Sequence, residues 1–134
     1  MPELYLNKQN YEFMVRHAIN CFPFECCGVI SGNDQYSYSV HPIKNLDYRK
    51  HRYSMDMDQL DIIISKIEQS SEEIIGFYHS HTDTDSYPSR IDIEMANWQS
   101  VFYVIVSLAE RNLPKIKAFK ISDKNVTECE IVFR

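Results

Sequence analysis

The stretch His79-Ser-His81-Thr-Asp83-Thr-Asp85-Ser-Tyr-Pro-Ser89-Arg-Ile-Asp92 gathers imidazoles, carboxylates and hydroxyls into one short run. His79 and His81 stand two residues apart at the end of an apolar segment. On a strand that spacing puts both side chains on one face and turns Tyr78 and Ser80 to the other. Both rings can then reach a single ion at about 2.0–2.1 Å. A third ligand must come from further along, and Asp83, Asp85 and Asp92 are all available. Two histidines and one carboxylate leave a fourth tetrahedral position for water, the mark of a catalytic rather than a structural zinc site. Zinc lowers the pKa of such a water to about 7. Hydrolysis of a peptide bond needs two further parts. A carboxylate must take the water's proton and pass it to the leaving amine, and a donor must face the oxyanion.

The same residues also admit plain structural roles. A His-x-His pair at a strand end is common without any metal. Ser89-Arg-Ile-Asp92, directly after Pro88, matches the S-x-x-D capping box of a helix start. The two readings are compatible, because a residue in the first helical turn can still aim its carboxylate outward. Asp83 and Asp85 read equally well as solvated loop residues. Other His-x-His chemistries fit less well. Residue 84 is Thr, which breaks the H-x-H-x-D-H pattern of dinuclear metallo-β-lactamase-type sites. Amidohydrolase barrels need about 250 residues, against 134 here. Non-haem iron oxygenases order their two histidines and carboxylate differently.

Positioning these groups requires a strand, a loop and a helix, and the pattern supplies them. Tyr11, Met14, Val15, Ala18, Ile19 and Phe22 form the apolar stripe of a helix over 8–22, with Asn7 as N-cap and Pro23 as its stop. Cys26–Ser31 reads as a buried strand, Gly32-Asn33-Asp34 as a turn, and Tyr36–Val40 as the hairpin partner. Residues 44–54 read as a loop. A second helix carries Asp56 as cap, with Asp56-x-x-Gln59 as a capping box, and Met57, Leu60, Ile63, Ile64 and Ile67 on one face. Ile74–Ser80 is a buried strand. A third helix is expected from Ser89 to Gln99, then a β-prone central strand over Val101–Leu108. Ile116–Ser122 and Val126–Phe133 form a last hairpin around Asp123-Lys124-Asn125. Helices and adjacent strands alternate without a βαβ repeat, so the expected fold class is α+β: a single mixed β-sheet with about three helices packed on it.

Composition narrows the function classes. The chain is 44% hydrophobic and 25% charged, as in an ordinary soluble globular domain, and 1–134 reads as one domain. Fourteen Lys and Arg against 19 Asp and Glu give a net charge of −5, which argues against a broad nucleic-acid footprint. The longest apolar run, Val101–Val106, is far too short to span a membrane. The polar N-terminal residues do not form a signal peptide, so a cytoplasmic location with reduced cysteines is expected. Cys21, Cys26, Cys27 and Cys129 form no C-x-x-C pair and read as buried thiols. Cys26 or Cys27 as a nucleophile would want its own His–Asp pair, which is lacking. The run Arg49-Lys50-His51-Arg52, flanked by Tyr48 and Tyr53, reads as a solvated loop or as a patch that grips a carboxylate-bearing partner.

Taken together with Glu25-Cys-Cys-Gly28 upstream, the spacing resembles the signature of the JAMM (MPN+) metalloproteases: a Glu, then H-x-H-x7-S-x2-D. Glu25, His79, His81, Ser89 and Asp92 fill every position. The resemblance implies a JAMM/MPN fold of cytidine-deaminase-like type. It implies one Zn2+ per chain on His79, His81 and Asp92, Glu25 as general base and then acid, and Ser89 stabilising the oxyanion. Members of the family cut peptide or isopeptide bonds after the C-terminal Gly-Gly of ubiquitin or ubiquitin-like proteins. The Tyr-His-Ser-His-Thr … Tyr-Pro-Ser-Arg stretch is similar to stand-alone prokaryotic members that process sulfur-carrier proteins. The reaction so implied releases an amino acid, such as cysteine, or a short extension. Two alternatives are a phage-tail or cell-wall-associated JAMM peptidase and a non-catalytic MPN binding module. The sequence leaves a homodimer undecided.

Overall fold

The computed structural model describes residues 2–134. In chain order the elements are β1 (Glu3–Leu6), α1 (Lys8–Cys21), β2 (Cys27–Asn33), β3 (Tyr36–Ile43), α2 (Met57–Glu68), β4 (Glu73–His81), α3 (Arg90–Glu94), β5 (Phe102–Ser107), β6 (Lys115–Ser122) and β7 (Asn125–Phe133). The strands lie in the order β1-β3-β2-β4-β5-β6-β7, with parallel and antiparallel pairs mixed. The fold is the expected mixed α+β with three helices, with one addition. β1 pairs in parallel with both β3 and β7, so the sheet closes into a barrel. Residues 3–6 lie outside every strand that the sequence pattern predicts. They offer only Leu4 and Leu6 as inward positions, both fully buried, too few for a periodicity to register. Their pairing partners lie far along the chain, at Tyr36 and at residues 130–133.

Both faces of the central strands are covered, which explains why β4 and β5 are apolar without alternation. On one face Cys26, Ile30, Tyr78, Val104, Val106 and Ala118 pack with Met14 and Ala18 of α1. On the other, Cys27, Val29, Phe77 and Ile43 pack with Leu60 and Ile67 of α2, and Ile105 and Phe119 pack with Ile93. The two strands that matter most, β2 and β4, approach closely. A Cβ on Gly28 would overlap the Tyr78 ring and the His41 carbonyl oxygen, so glycine is required there for lack of space.

Local chemistry sets the element ends. Asn7 caps α1 by accepting from Asn10 N at 2.8 Å. Asp56 caps α2 by accepting from Asp58 and Gln59 backbone N–H groups. The expected second half of that capping box does not form, because the Gln59 side chain accepts instead from Lys44 N at 2.7 Å. At the β6–β7 turn, Asp123 (φ 50) and Lys124 (φ 65) are both left-handed, as a two-residue hairpin loop demands. α3 stops at Glu94 rather than reaching Gln99. The Tyr103 hydroxyl captures the Trp98 backbone, accepting from its N–H at 3.1 Å and donating to its carbonyl at 3.2 Å, and the indole packs edge-on against Phe77. Among the described residues, no helix is long and apolar enough to cross a membrane.

Candidate metal centre

The site sits where β4 ends, on the face covered by α2 and α3. β2 and β4 run antiparallel with Cys27 opposite His79 and Gly28 opposite Tyr78. Ser80 N donates to Cys26 O at 3.1 Å, which carries that register one step further. Glu25 therefore falls opposite His81, and alternation puts Glu25, Cys27, His79 and His81 on one face. Tyr78 and Ser80 turn to the other face, where Ser80 Oγ accepts from Cys26 N at 2.8 Å and the Tyr78 hydroxyl meets His17 Nδ1.

Asp92 reaches this face from α3. The capping box expected from the sequence is closed: Ser89 Oγ accepts from Asp92 N at 3.0 Å, and Asp92 Oδ2 accepts from Ser89 N at 2.9 Å. The same Oδ2 lies 3.0 Å from His79 Nε2 and 2.9 Å from His81 Nε2, and the two nitrogens are 3.2 Å apart. Three donor atoms thus form a near-equilateral triangle. Ligands at about 2.0–2.1 Å in a tetrahedron stand about 3.3 Å from one another, so the triangle fits one small ion. His81 Nδ1 lies 2.7 Å from the Asp85 carbonyl oxygen and must donate its proton there, which leaves the Nε2 lone pair facing the Asp92 carboxylate. A cation or a second proton has to sit between them. The backbone partner of His81 is the kind that orients metal-bound histidines.

Charges follow from burial and neighbours. Burial favours neutral Asp92, but the bonds from His79 and His81 outweigh it and hold the carboxyl far below its ordinary range. Burial lowers His79. His81 is raised despite burial, by Asp92 and the Asp85 carbonyl. Glu25 is 3% exposed, and among the described residues its Oε1 has no hydrogen-bond partner. Burial pushes this carboxyl up to about 7, with His81 pulling it down and Asp92, Asp47 and Asp83 pushing it up. A carboxylate with an open acceptor and a pKa near neutrality suits proton transfer.

The other sequence candidates lie elsewhere. Asp83 pairs with His51 at 3.1 Å on the surface. Asp85 contributes its backbone carbonyl, while its carboxylate accepts from Ser86 N. Arg49 forks onto Asp47, which holds that carboxyl down to about 2, so this part of the basic run is engaged within its own loop. Cys26 and Cys27 are buried, and burial raises the Cys27 thiol to about 12, which makes it inert. A cavity of about 320 Å³ adjoins the site, walled by Asp92, Tyr53, Phe77, Trp98, Tyr103, Met55 and Met95, with Arg52 at its edge. Trp98 and Met95 carry no local sequence signal of this role. The walls come from separate elements, and only their exposure next to an apolar patch could have flagged them.

A family model described as prokaryotic homologs of the JAB domain matches residues 7–122. The chain belongs to this family, the prokaryotic branch of the JAMM/MPN proteins, and is a hydrolase of the JAMM metallopeptidase class. Among curated relatives, the CysO-cysteine peptidase of Mycobacterium tuberculosis is 32% identical over 118 residues, covering 86% of this chain and 80% of that protein. The desampylase of Haloferax volcanii is 34% identical over 88 residues, 63% of each chain. A protein of Desulfitobacterium hafniense, solved in solution, superposes with a TM-score of 0.89 at 32% identity, covering 98% of this chain and 92% of that one. The JAB1/MPN domain protein of Archaeoglobus fulgidus shares the fold, with a TM-score of 0.64 at 15% identity over 98% of this chain and 99% of that one.

Proposed function

We propose that this chain is a zinc-dependent peptidase that cleaves the bond after the C-terminal Gly-Gly of a ubiquitin-like sulfur-carrier protein, releasing an amino acid such as cysteine or a short extension. The observation that carries the reading is the triangle of His79 Nε2, His81 Nε2 and Asp92 Oδ2 beside a buried Glu25 carboxylate with an open acceptor. His79, His81 and Asp92 hold the ion, and a nitrogen–nitrogen–oxygen donor set suits zinc. When bound, zinc acidifies a water to a pKa of about 7 and polarises the scissile carbonyl. Glu25 takes the proton of the attacking water and delivers it to the departing amine. Ser89 Oγ already accepts from Asp92 N, so its own O–H is free to donate to the carbonyl oxygen as negative charge builds there.

The names of the relatives, CysO-cysteine peptidase and desampylase, support a ubiquitin-like substrate. The apolar cavity beside Asp92 supports a tail lying extended against the site, where glycines allow close approach of the two backbones. The test measures metal content and cleavage of a Gly-Gly-tailed carrier bearing a C-terminal cysteine, with and without a chelator. One zinc per chain and chelator-sensitive trimming is the expected result. Zinc without trimming would make the carrier the wrong substrate and favour a cell-wall or phage-tail peptide. A chain that takes up no zinc would be a binding module.

A further inference from the structure

The two histidines are held in different ways. The His81 ring is fixed by its Nδ1–H bond to the Asp85 carbonyl. Among the described residues, every hydrogen bond of the His79 ring runs through Nε2, the atom that faces the cluster. Its plane is set instead by Tyr53, whose ring stacks on it at 4.6 Å between centroids and 29° between planes. The Tyr53 backbone is itself pinned on both sides by a single residue. Asn45 Oδ1 accepts from Ser54 N at 2.9 Å, and Asn45 Nδ2 donates to Arg52 O at 3.5 Å and to Glu25 O at 3.0 Å. Leu46 N donates to Ser54 O at 2.8 Å, and Asn45 bridges to Met55, closing the loop around this clamp.

We propose that Tyr53 is a positioning residue for the metal ligand His79, held in place by Asn45, which ties the same loop to the Glu25 backbone. The physical case has two parts. A stacked ring removes rotation of the imidazole about its last torsion, which a hydrogen bond does for His81. An imidazole that binds a cation gains positive character, and the electron-rich face of a phenol ring stabilises it. Both effects need the aromatic face and neither needs the hydroxyl.

This inference rests on the proposed metal site, and its test separates the two. Zinc affinity is measured by chelator competition, and the ligand geometry by the visible absorption of the cobalt-substituted protein, for wild type, Tyr53→Phe, Tyr53→Leu and Asn45→Ser. Tyr53→Phe should keep the wild-type affinity and spectrum. Tyr53→Leu and Asn45→Ser should lose about 10–100-fold in affinity, the usual cost of removing a supporting group, with a shifted cobalt band. Thermal unfolding of the metal-free proteins controls for simple loss of packing. If Tyr53→Leu does not fold, Asn45→Ser decides, since it loosens the clamp without opening a gap against His79. Wild-type affinity and an unchanged cobalt band in the folded variants would overturn the inference while leaving the metal site intact. A wild type that binds neither ion would instead remove the metal reading on which it rests.

Discussion

At Glu25 the proposed proton-transfer role and folding stability oppose each other. Its carboxyl stays protonated in the folded chain up to about pH 7, whereas in the unfolded chain it ionises near 4.5. Between those values the folded state binds more protons, so its contribution to stability falls as pH rises through that window and stays low above it. Glu25→Gln in the chelated protein should therefore be more stable than wild type at pH 8 by about 3 kcal/mol. The gain should vanish below about pH 4.5. Urea titrations at the two pH values check this, and the same variant should retain zinc while losing peptide turnover. Asp92→Asn tests the ligand set. It should weaken zinc binding by orders of magnitude, while Asp83→Asn, which removes only a surface pair with His51, should leave it unchanged. Equal effects in isothermal titration would mean that Asp92 is not the ligand carboxylate.

At the scale of elements, α3 is a five-residue helix that starts on its cap and packs Ile93 against Ile105 and Phe119. The closed box between Ser89 and Asp92 starts the helix and, in the same geometry, swings the Asp92 carboxylate onto the histidines. The structural and functional readings of Ser89-Arg-Ile-Asp92 are thus one arrangement. Ser89→Ala should cost about 1 kcal/mol of stability from the lost cap, and about 100–1000-fold in turnover from the lost oxyanion donor. Thermal melts and kcat read the two separately. A variant that melts earlier yet turns over normally would leave Ser89 as a cap alone. The loop between β3 and α2 works in the same way. Its Arg49 and Arg52 pair with Asp47 of the same loop, but its Asn45 and Tyr53 reach inward to the centre.

At the scale of the molecule, barrel closure by β1 is the feature that sequence periodicity could not reveal. Leu6 is fully buried, and Leu6→Ala should cost about 2–5 kcal/mol, seen as a lower denaturant midpoint with an unchanged slope. The His79–His81 pair and the Ser89–Asp92 cap were legible in the spacing, because strand alternation and a helix cap act over a few positions, whereas the preference for Asp92 over Asp83 and Asp85 rested on the family resemblance. The helices and most strands were legible for the same reason: their apolar periods are local. Glu25 was readable only through a family resemblance, because its place beside His81 depends on β2 and β4 being neighbours, which no local pattern encodes. The Tyr53 stack, the Asn45 clamp and the apolar cavity also join elements far apart in the chain. Which groups could do the chemistry follows from residue types and their local spacing. The tertiary structure decided which of them meet, because register, closure and burial are properties of paired strands and are absent from any one of them.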